Sequence, residues 1–303
     1  MRYAFAKIYI ISCVQQQTII IKGDSTMTTR KNWPCAASSC ILGHYEGHTE
    51  EGFARYKAAG IEYAEISMQD DKLNEYDFYE HPEKIAEAAE KNGVKLWSFH
   101  VPFSWFLNVA NIDPVEGPKG MAVMEKGIRA ALSIGIKTIV IHPSSEPNDD
   151  DTRQQKIEKS IENMRYFAEI CAEAGAKLCV EDLPRTCLGN SSFDIITYLN
   201  EIPEMDLCFD TNHLTMQTNE DFLDDLIEHK MHGRIRTLHV SDYDFIDERH
   251  RLPGDGINDW DTILAKLEEL DYNGVFMYEV SRPKERDLLT LDEIKANYLE
   301  LVK

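Results

Sequence analysis

A (β/α)8 barrel, folded as one α/β domain, is the fold class this sequence predicts, and three observations predict it. From about residue 34 onward, short apolar runs that end in a polar residue alternate with amphipathic stretches. Eight such runs can be counted. Several amphipathic stretches close on a glycine directly before the next apolar run. Apolar strands joined through helices imply a parallel sheet covered on both faces, and eight units favour closure into a barrel. No G-x-G-x-x-G occurs, so an open dinucleotide-binding sheet loses its main support and no nucleotide cofactor is expected.

The expected strands, in order, are Cys35–Leu42, Tyr63–Ser67, Lys95–His100, Thr138–His142, Lys177–Glu181, Leu207–Asp210, Thr237–Val240 and Val275–Val280. Helical patterns lie between them at Pro82–Lys91, Gly120–Ile134, Arg153–Ala174, Glu220–Lys230 and Trp260–Leu270. The turns Ala59-Gly60-Ile61, Asn92-Gly93-Val94, Ile134-Gly135-Ile136 and Ala174-Gly175-Ala176 each read as a helix ended by a glycine at positive φ. Residues 34–303 therefore make the barrel, with no low-complexity linker and no second domain. Residues 1–33 read as an N-terminal extension, non-native or disordered, because Met27 begins a plausible chain just before the first strand.

A length of 303 residues suits one barrel. At 43% hydrophobic and 28% charged, the composition is that of a soluble globular protein. Lys plus Arg number 32 and Asp plus Glu 53, a net charge of −21. Such a surface repels phosphate backbones and anionic lipid heads, so neither nucleic acid nor membrane is an expected partner. No apolar run reaches the ~20 residues of a membrane span. A cytoplasmic location is expected. The alternative is export, because residues 3–14 are apolar and Ile10-Ile11-Ser12-Cys13 faintly resembles a lipoprotein cleavage box. Lys7 interrupts that run, and no small-x-small cleavage site follows. The seven cysteines are odd in number and form no C-x-x-C. Cys179 and Cys208 sit in apolar strands and read as small buried hydrophobes in a reducing compartment.

Active sites of such barrels lie at the C-terminal ends of the strands. Strand three ends in His100, strand four in His142, strand five in Glu181-Asp182 and strand six in Asp210, with His213 three residues on. Strand seven carries His239 and strand eight ends in Glu279. Any one of these has an ordinary structural explanation, as a hydrogen-bonded histidine or a helix-capping carboxylate. The joint pattern carries the argument. Glu181, Asp210 and Glu279 converging in a partly dry pocket would push one another's pKa upward unless a cation sat among them. With His239 the set offers three carboxylates and one imidazole, which suits one divalent ion: manganese, magnesium, cobalt or zinc.

Further segments extend the pattern. They are Ala59-Gly60-Ile61-Glu62-Tyr63-Ala64-Glu65-Ile66, Ser98-Phe99-His100-Val101-Pro102-Phe103, Val180-Glu181-Asp182, Asp210-Thr211-Asn212-His213, His239-Val240-Ser241-Asp242, His250-Arg251-Leu252-Pro253-Gly254-Asp255-Gly256 and Tyr278-Glu279-Val280. In order and spacing, over about residues 34–302, the chain resembles the xylose-isomerase-like barrel superfamily of sugar isomerases and epimerases, which also contains the abasic-site endonucleases. The resemblance implies Glu181, Asp210, His239 and Glu279 as ligands of a single metal. It also implies Glu181 and Glu279 as the acid and base of proton transfer through a metal-stabilised enediolate. His213 and His250 then read as substrate contacts, and His100 and His142 are counted with them. Phe103, Trp105 and Phe106 follow strand three, and an aromatic wall, Trp105 above all, suits the apolar face of a sugar ring.

The endonuclease branch supplies a competing expectation. His100 and His142 match positions that hold another zinc there. Glu248-Arg249-His250 stands where those enzymes carry an Asp-Arg-His triplet for a third. His100, His142, Glu248 and His250 are therefore candidates for additional metal, although the extra methylene of Glu248 moves its oxygens. The net charge, and the loop Glu146-Pro147-Asn148-Asp149-Asp150-Asp151, disfavour a DNA substrate. That loop itself reads as a solvated segment capping the next helix. The expectation is a metal-dependent isomerase or epimerase of a small sugar or polyol. The alternatives are a dehydratase of an inosose-like keto-polyol, a metal-dependent phosphodiester hydrolase, and a non-enzymatic sugar-binding barrel. The last predicts missing ligands, and all four are present. No glycine-rich phosphate loop or arginine cluster is visible, which favours a free sugar. Aromatics near the mouth are compatible with a homodimer.

Overall fold

The computed structural model of the chain describes residues 33–43, 45–68, 77–213, 216–243, 249–280 and 289–302. Strands and helices alternate. They are β1 (Cys35–Ser38), α1 (Glu50–Ala58), β2 (Tyr63–Ser67), α2 (Pro82–Lys91), β3 (Lys95–His100), α3 (Glu116–Ser133), β4 (Thr138–Ile141), α4 (Asp150–Glu173), β5 (Lys177–Glu181), α5 (Ser192–Glu201), β6 (Asp206–Asp210), α6 (Asn219–Glu228), β7 (Ile235–His239), α7 (Trp260–Glu269), β8 (Phe276–Tyr278) and α8 (Leu291–Leu301). The strands form one parallel sheet in the order β7-β6-β5-β4-β3-β2-β1-β8. A parallel bridge between Val240 and Tyr278 joins its two ends, with Val240 N donating to Met277 O at 2.8 Å and Glu279 N to Val240 O at 3.1 Å. The barrel expected from the sequence is the fold.

The glycine turns account for its regularity. Gly60, Gly93, Gly135 and Gly175 all take positive φ, between 64° and 89°. A Cβ on Gly93, Gly135 or Gly175 would meet nothing within 4 Å, so the requirement there is conformational and not steric. At the other helix ends, Thr49, Asp149, Ser191, Thr218, Asp259 and Thr290 accept backbone N–H groups as N-caps. Asp149 belongs to the acidic loop, which caps α4 as its composition suggested.

Element ends depart from expectation where side chains intervene. The run Cys35–Leu42 leaves the sheet after Ser38 and turns into a 3-10 segment, Ser39–Leu42. There the Ser39 hydroxyl, and not its backbone, pairs with Ser67, accepting from Ser67 N at 2.9 Å. α3 starts at Glu116, four residues before Gly120, because the Asp113 carboxylate accepts from Val115 N at 2.8 Å and Glu116 N at 2.9 Å. β7 starts at Ile235 because Arg236 is bulged: Leu207 pairs with Ile235, but Cys208 with Thr237. A matching shift in β3 skips Trp97, so that Ala64 pairs with Leu96 and Glu65 with Ser98.

Those two bulges organise the floor of the barrel. Trp97 Nε1 donates across the interior to Thr237 Oγ1 at 3.1 Å, and the Arg236 guanidinium lies 5.5 Å from the Trp97 ring centroid. Ala36, Val275 and Met277 pack beside Trp97, and Val140, Cys179 and Cys208 form a further small cluster. The larger apolar core lies between sheet and helices. Because strand side chains repeat every two residues, Val140, Cys179, Cys208, Thr237 and Met277 are followed toward the mouth by His142, Glu181, Asp210, His239 and Glu279. The described cysteines are free thiols, and Trp33 is already packed under the barrel, its Nε1 donating to Tyr272 O at 2.8 Å. Among the described residues no helix is long and apolar enough to cross a membrane.

Candidate metal centre

Ligand atoms from Glu181, Asp210, His239 and Glu279 all lie within 4.8 Å of one another. Each is delivered by a different strand end. The imidazole sits between the two glutamates, with His239 Nδ1 2.9 Å from Glu181 Oε1 and 3.1 Å from Glu279 Oε2. Asp210 Oδ2 lies 3.8 Å from the same nitrogen. Asp210 Oδ1 accepts Asn212 N at 2.6 Å, while its buried Oδ2 has no hydrogen-bond partner. Asp182, fully buried, turns Oδ1 to Asp210 N at 2.8 Å and fixes the backbone that carries this ligand.

A second wing meets the centre at Glu181. His100 Nε2 and His142 Nε2 lie 3.1 Å and 3.2 Å from the other carboxylate oxygen, Oε2. Ligand atoms of His100, Glu181 and His239 also fall within 4.8 Å of one another. His100 donates Nδ1–H to Val101 O at 3.0 Å, and Phe103 stacks on His142 with ring centroids 3.8 Å apart.

Burial opposes charge on every one of these groups, and each shift depends on whether the partners outweigh it. Burial alone would raise Glu181 and Glu279, but the His239 charge between them holds both well below the usual carboxylate range. The mutual repulsion expected of three carboxylates therefore falls on Asp210, pushed up to about 8 by burial, with the Glu181 and Glu279 charges adding to the shift. Burial would lower His100, yet the Glu181 carboxylate raises it to about 9; His142, with burial prevailing, is lowered to about 4. His239, despite burial, is held well above its ordinary value by the surrounding anionic groups, Glu279, Glu65 and Glu181 among them. The donor set fits a divalent cation: an unpartnered buried carboxylate oxygen aims at the centre, and two ionised glutamates already face it.

Above the centre opens a cleft of about 390 Å³. The expected substrate contacts His100, His142, His213, His250 and Trp105 all line it, together with Glu181 and Glu279. His213 donates Nδ1–H to Asp182 O at 2.9 Å, which leaves Nε2 for the cleft. His250 Nδ1 lies 3.1 Å from Glu279 O and 3.2 Å from Ser241 Oγ. Trp105 is 71% exposed at the rim and Phe103 49%. Glu248 falls outside the described residues.

The loop bearing His250 is built on Asp242. Its carboxylate accepts from Gly254 N at 2.7 Å, Trp260 Nε1 at 3.0 Å, Tyr243 N at 2.9 Å and Asn258 N at 3.1 Å. A Cβ on Gly256 would fall 2.4 Å from that carboxylate and 2.5 Å from Tyr243 O, so glycine is demanded by close approach. The sequence reading gave Asp242 and Asp182 no role, although both sit inside motifs it singled out. It also missed Glu65, buried in β2, whose Oε2 lies 3.1 Å from His239 Nε2. Alternation along β2 was the available signal, since Tyr63, Glu65 and Ser67 share a face. A pair at the rim was missed too: Glu146 binds the Arg185 guanidinium at 2.7 Å and accepts from Thr186 N at 3.1 Å.

Known proteins share this arrangement of elements. The family model described as xylose isomerase-like TIM barrel matches residues 53–299. An uncharacterized protein of Methanocaldococcus jannaschii is 26% identical over 208 residues, covering 67% of this chain and 70% of that protein. A solved D-tagatose 3-epimerase-like protein superposes with a TM-score of 0.71 at 20% identity, over 89% of this chain and 98% of that one. A D-psicose 3-epimerase structure determined in the presence of D-fructose gives 0.70 at 18% identity, over 88% and 97%. At such identity the likeness establishes the fold.

Proposed function

The chain belongs to the xylose isomerase-like TIM barrel family, and from that premise we propose that it is a divalent-metal-dependent isomerase or epimerase of a sugar or polyol. The observation that carries the reading is the convergence of Glu181, Asp210, His239 and Glu279 at the base of an open cleft walled by histidines and aromatics. A divalent ion held by those four would supply Lewis-acid polarisation of a ketose carbonyl and its neighbouring hydroxyl. The protein's own residues do the rest. One of Glu181 and Glu279 takes the proton from the carbon beside the carbonyl. The other returns a proton, to the opposite face of that carbon in an epimerase or to the neighbouring carbon in an isomerase. His213 and His250 offer ring nitrogens to substrate hydroxyls, and the rim aromatics Phe103 and Trp105 cover the apolar face of the sugar. The sugar epimerases among the structural neighbours support the substrate class.

Glu181→Gln and Glu279→Gln should each slow exchange of substrate C–H with deuterated water by about 10²–10⁴-fold, the range general acid–base catalysis contributes. Undiminished exchange in both variants removes them as acid and base. A dehydratase would release water with the exchange, and product analysis separates it.

One observation favours a second reading. Two imidazole Nε2 atoms share Glu181 Oε2, an arrangement that would seat another cation between His100, His142 and Glu181. Metal-assisted phosphodiester hydrolysis would follow. Elemental mass spectrometry on untagged protein decides between them: about one metal per chain supports the isomerase or epimerase, and two or three zincs support the hydrolase.

A further inference from the structure

Glu65 lies outside the ligand set, yet it touches it. Strand β2 carries this carboxylate into the barrel with no exposed surface. Its Oε2 lies 3.1 Å from His239 Nε2 and accepts Ser98 Oγ–H at 2.8 Å, while Oε1 has no hydrogen-bond partner. The opposite nitrogen of the same ring, Nδ1, faces Glu181 and Glu279. Glu65 Oε2 is already an acceptor toward Ser98, and in the same role it takes Nε2–H from the imidazole. A proton kept on Nε2 leaves the Nδ1 lone pair for a cation.

Packing alone explains Glu65 badly. A fully buried carboxylate with one oxygen unpartnered is costly beside an apolar residue of similar shape. Ser98 would be satisfied by a neutral acceptor, whereas the His239 imidazole sits in direct contact with the carboxylate. The chain also arranges the contact from both sides. The bulge at Trp97 sets Ser98 opposite Glu65, and the bulge at Arg236 sets His239 beside Asp210.

We propose that Glu65 is a positioning residue for the metal centre: by accepting Nε2–H it holds His239 in the tautomer and orientation that present Nδ1 to Glu181, Asp210 and Glu279. The inference rests on the reading of that cluster as a metal site. It assigns a task to the β2 segment Tyr63-Ala64-Glu65-Ile66, which the reaction itself leaves unused.

The test uses full-length protein stripped of metal and titrated with zinc against a competing chelator, in wild type, Glu65→Gln, Glu65→Asp and Ser98→Ala. Both Glu65 variants should bind zinc about 10–100-fold more weakly, the cost typical of losing an outer partner of a ligating histidine. Ser98→Ala should stay close to wild type. Nitrogen-15 NMR of the zinc-loaded proteins should show His239 protonated at Nε2 in wild type and a mixture of states in the Glu65 variants. If Glu65→Gln does not fold, Glu65→Asp carries the comparison, because it keeps the charge and withdraws the oxygen. Wild-type zinc affinity with an unchanged ring signature in the Glu65 variants overturns the proposal. So does an equal loss in Ser98→Ala, which would mean packing and not positioning. A wild type that binds no zinc overturns the metal reading itself, and this inference with it.

Discussion

The two oxygens of Glu181 face two regions of different character. Oε1 looks into the centre, where His239 Nδ1 lies at 2.9 Å and Asp210 and Glu279 close the set. Oε2 looks into the wing, where His100 and His142 both approach it. In the centre three carboxylates share one imidazole, and Asp210 is pushed up to about 8, first by burial and then by the Glu181 and Glu279 charges. In the wing two imidazoles share one carboxylate oxygen. Burial lowers His142 to about 4, while Glu181, against burial, raises His100 to about 9. The centre gathers an excess of carboxylates, whereas the wing gathers an excess of imidazoles. Two clusters joined at a single side chain thus differ in their count of acids against bases, while burial strips charge from one group in each, Asp210 and His142.

The largest expected effect would break that contrast outright. Asp210→Asn should lower bound metal from about one ion per chain to well below one, weakening affinity by more than the roughly 10–100-fold that outer partners cost. His142→Ala should leave the ion in place. Elemental mass spectrometry of both variants reads the outcome, and a His142→Ala protein that loses its metal would make the wing part of the ligand set.

A smaller effect is expected at the loop that brings His250 to the centre's side of the cleft. Gly256→Ala drives a methyl group into the Asp242 carboxylate and Tyr243 O. It should cost about 1–3 kcal/mol in urea unfolding, as overpacking does, and raise KM while metal content is kept. Wild-type KM in a destabilised variant would detach His250 from substrate binding.

The smallest effect sharpens the electrostatic account. Stripped of metal by a chelator, the protein should melt at lower temperature as pH rises from about 6.5 to about 9. Asp210, raised by burial to about 8, and His100, raised from 6.5 to about 9 against burial by the Glu181 carboxylate, hold more protons folded than unfolded in that window. The stability His100 lends is present at the window's lower edge and is lost as pH rises through about 9, whereas that of Asp210, already falling from its unfolded value of 3.8, goes on falling until about 8. His142, lowered to about 4, acts in the opposite sense but only below 6.5. Added manganese should reverse the trend, since cation binding favours the deprotonated centre. A melting temperature that climbs across this window would mean that the centre is neutralised by other groups.

The sequence by itself determined the barrel, because its signals are local. A glycine at the end of a helix, an apolar run of four to six residues and a polar residue at the strand's end can each be read within one turn of chain. Hence β2, β3, β5 and α2 fall at the expected residues, and Glu181, Asp210, His239 and Glu279 could be named from their strand ends. The tertiary structure decided what lies between distant segments. His239 meets Glu65 across 174 residues of chain, and whether the two face each other depends on two bulges that shift the pairing by one residue. Since a shift of one residue turns a side chain to the other face of the sheet, no pattern along a single strand reveals it. The same holds for which oxygen of Glu181 serves the centre and which the wing, and for the Asp242 carboxylate that folds the His250 loop. Those are matters of where closure of the barrel brings side chains, and closure is a property of all eight strands together.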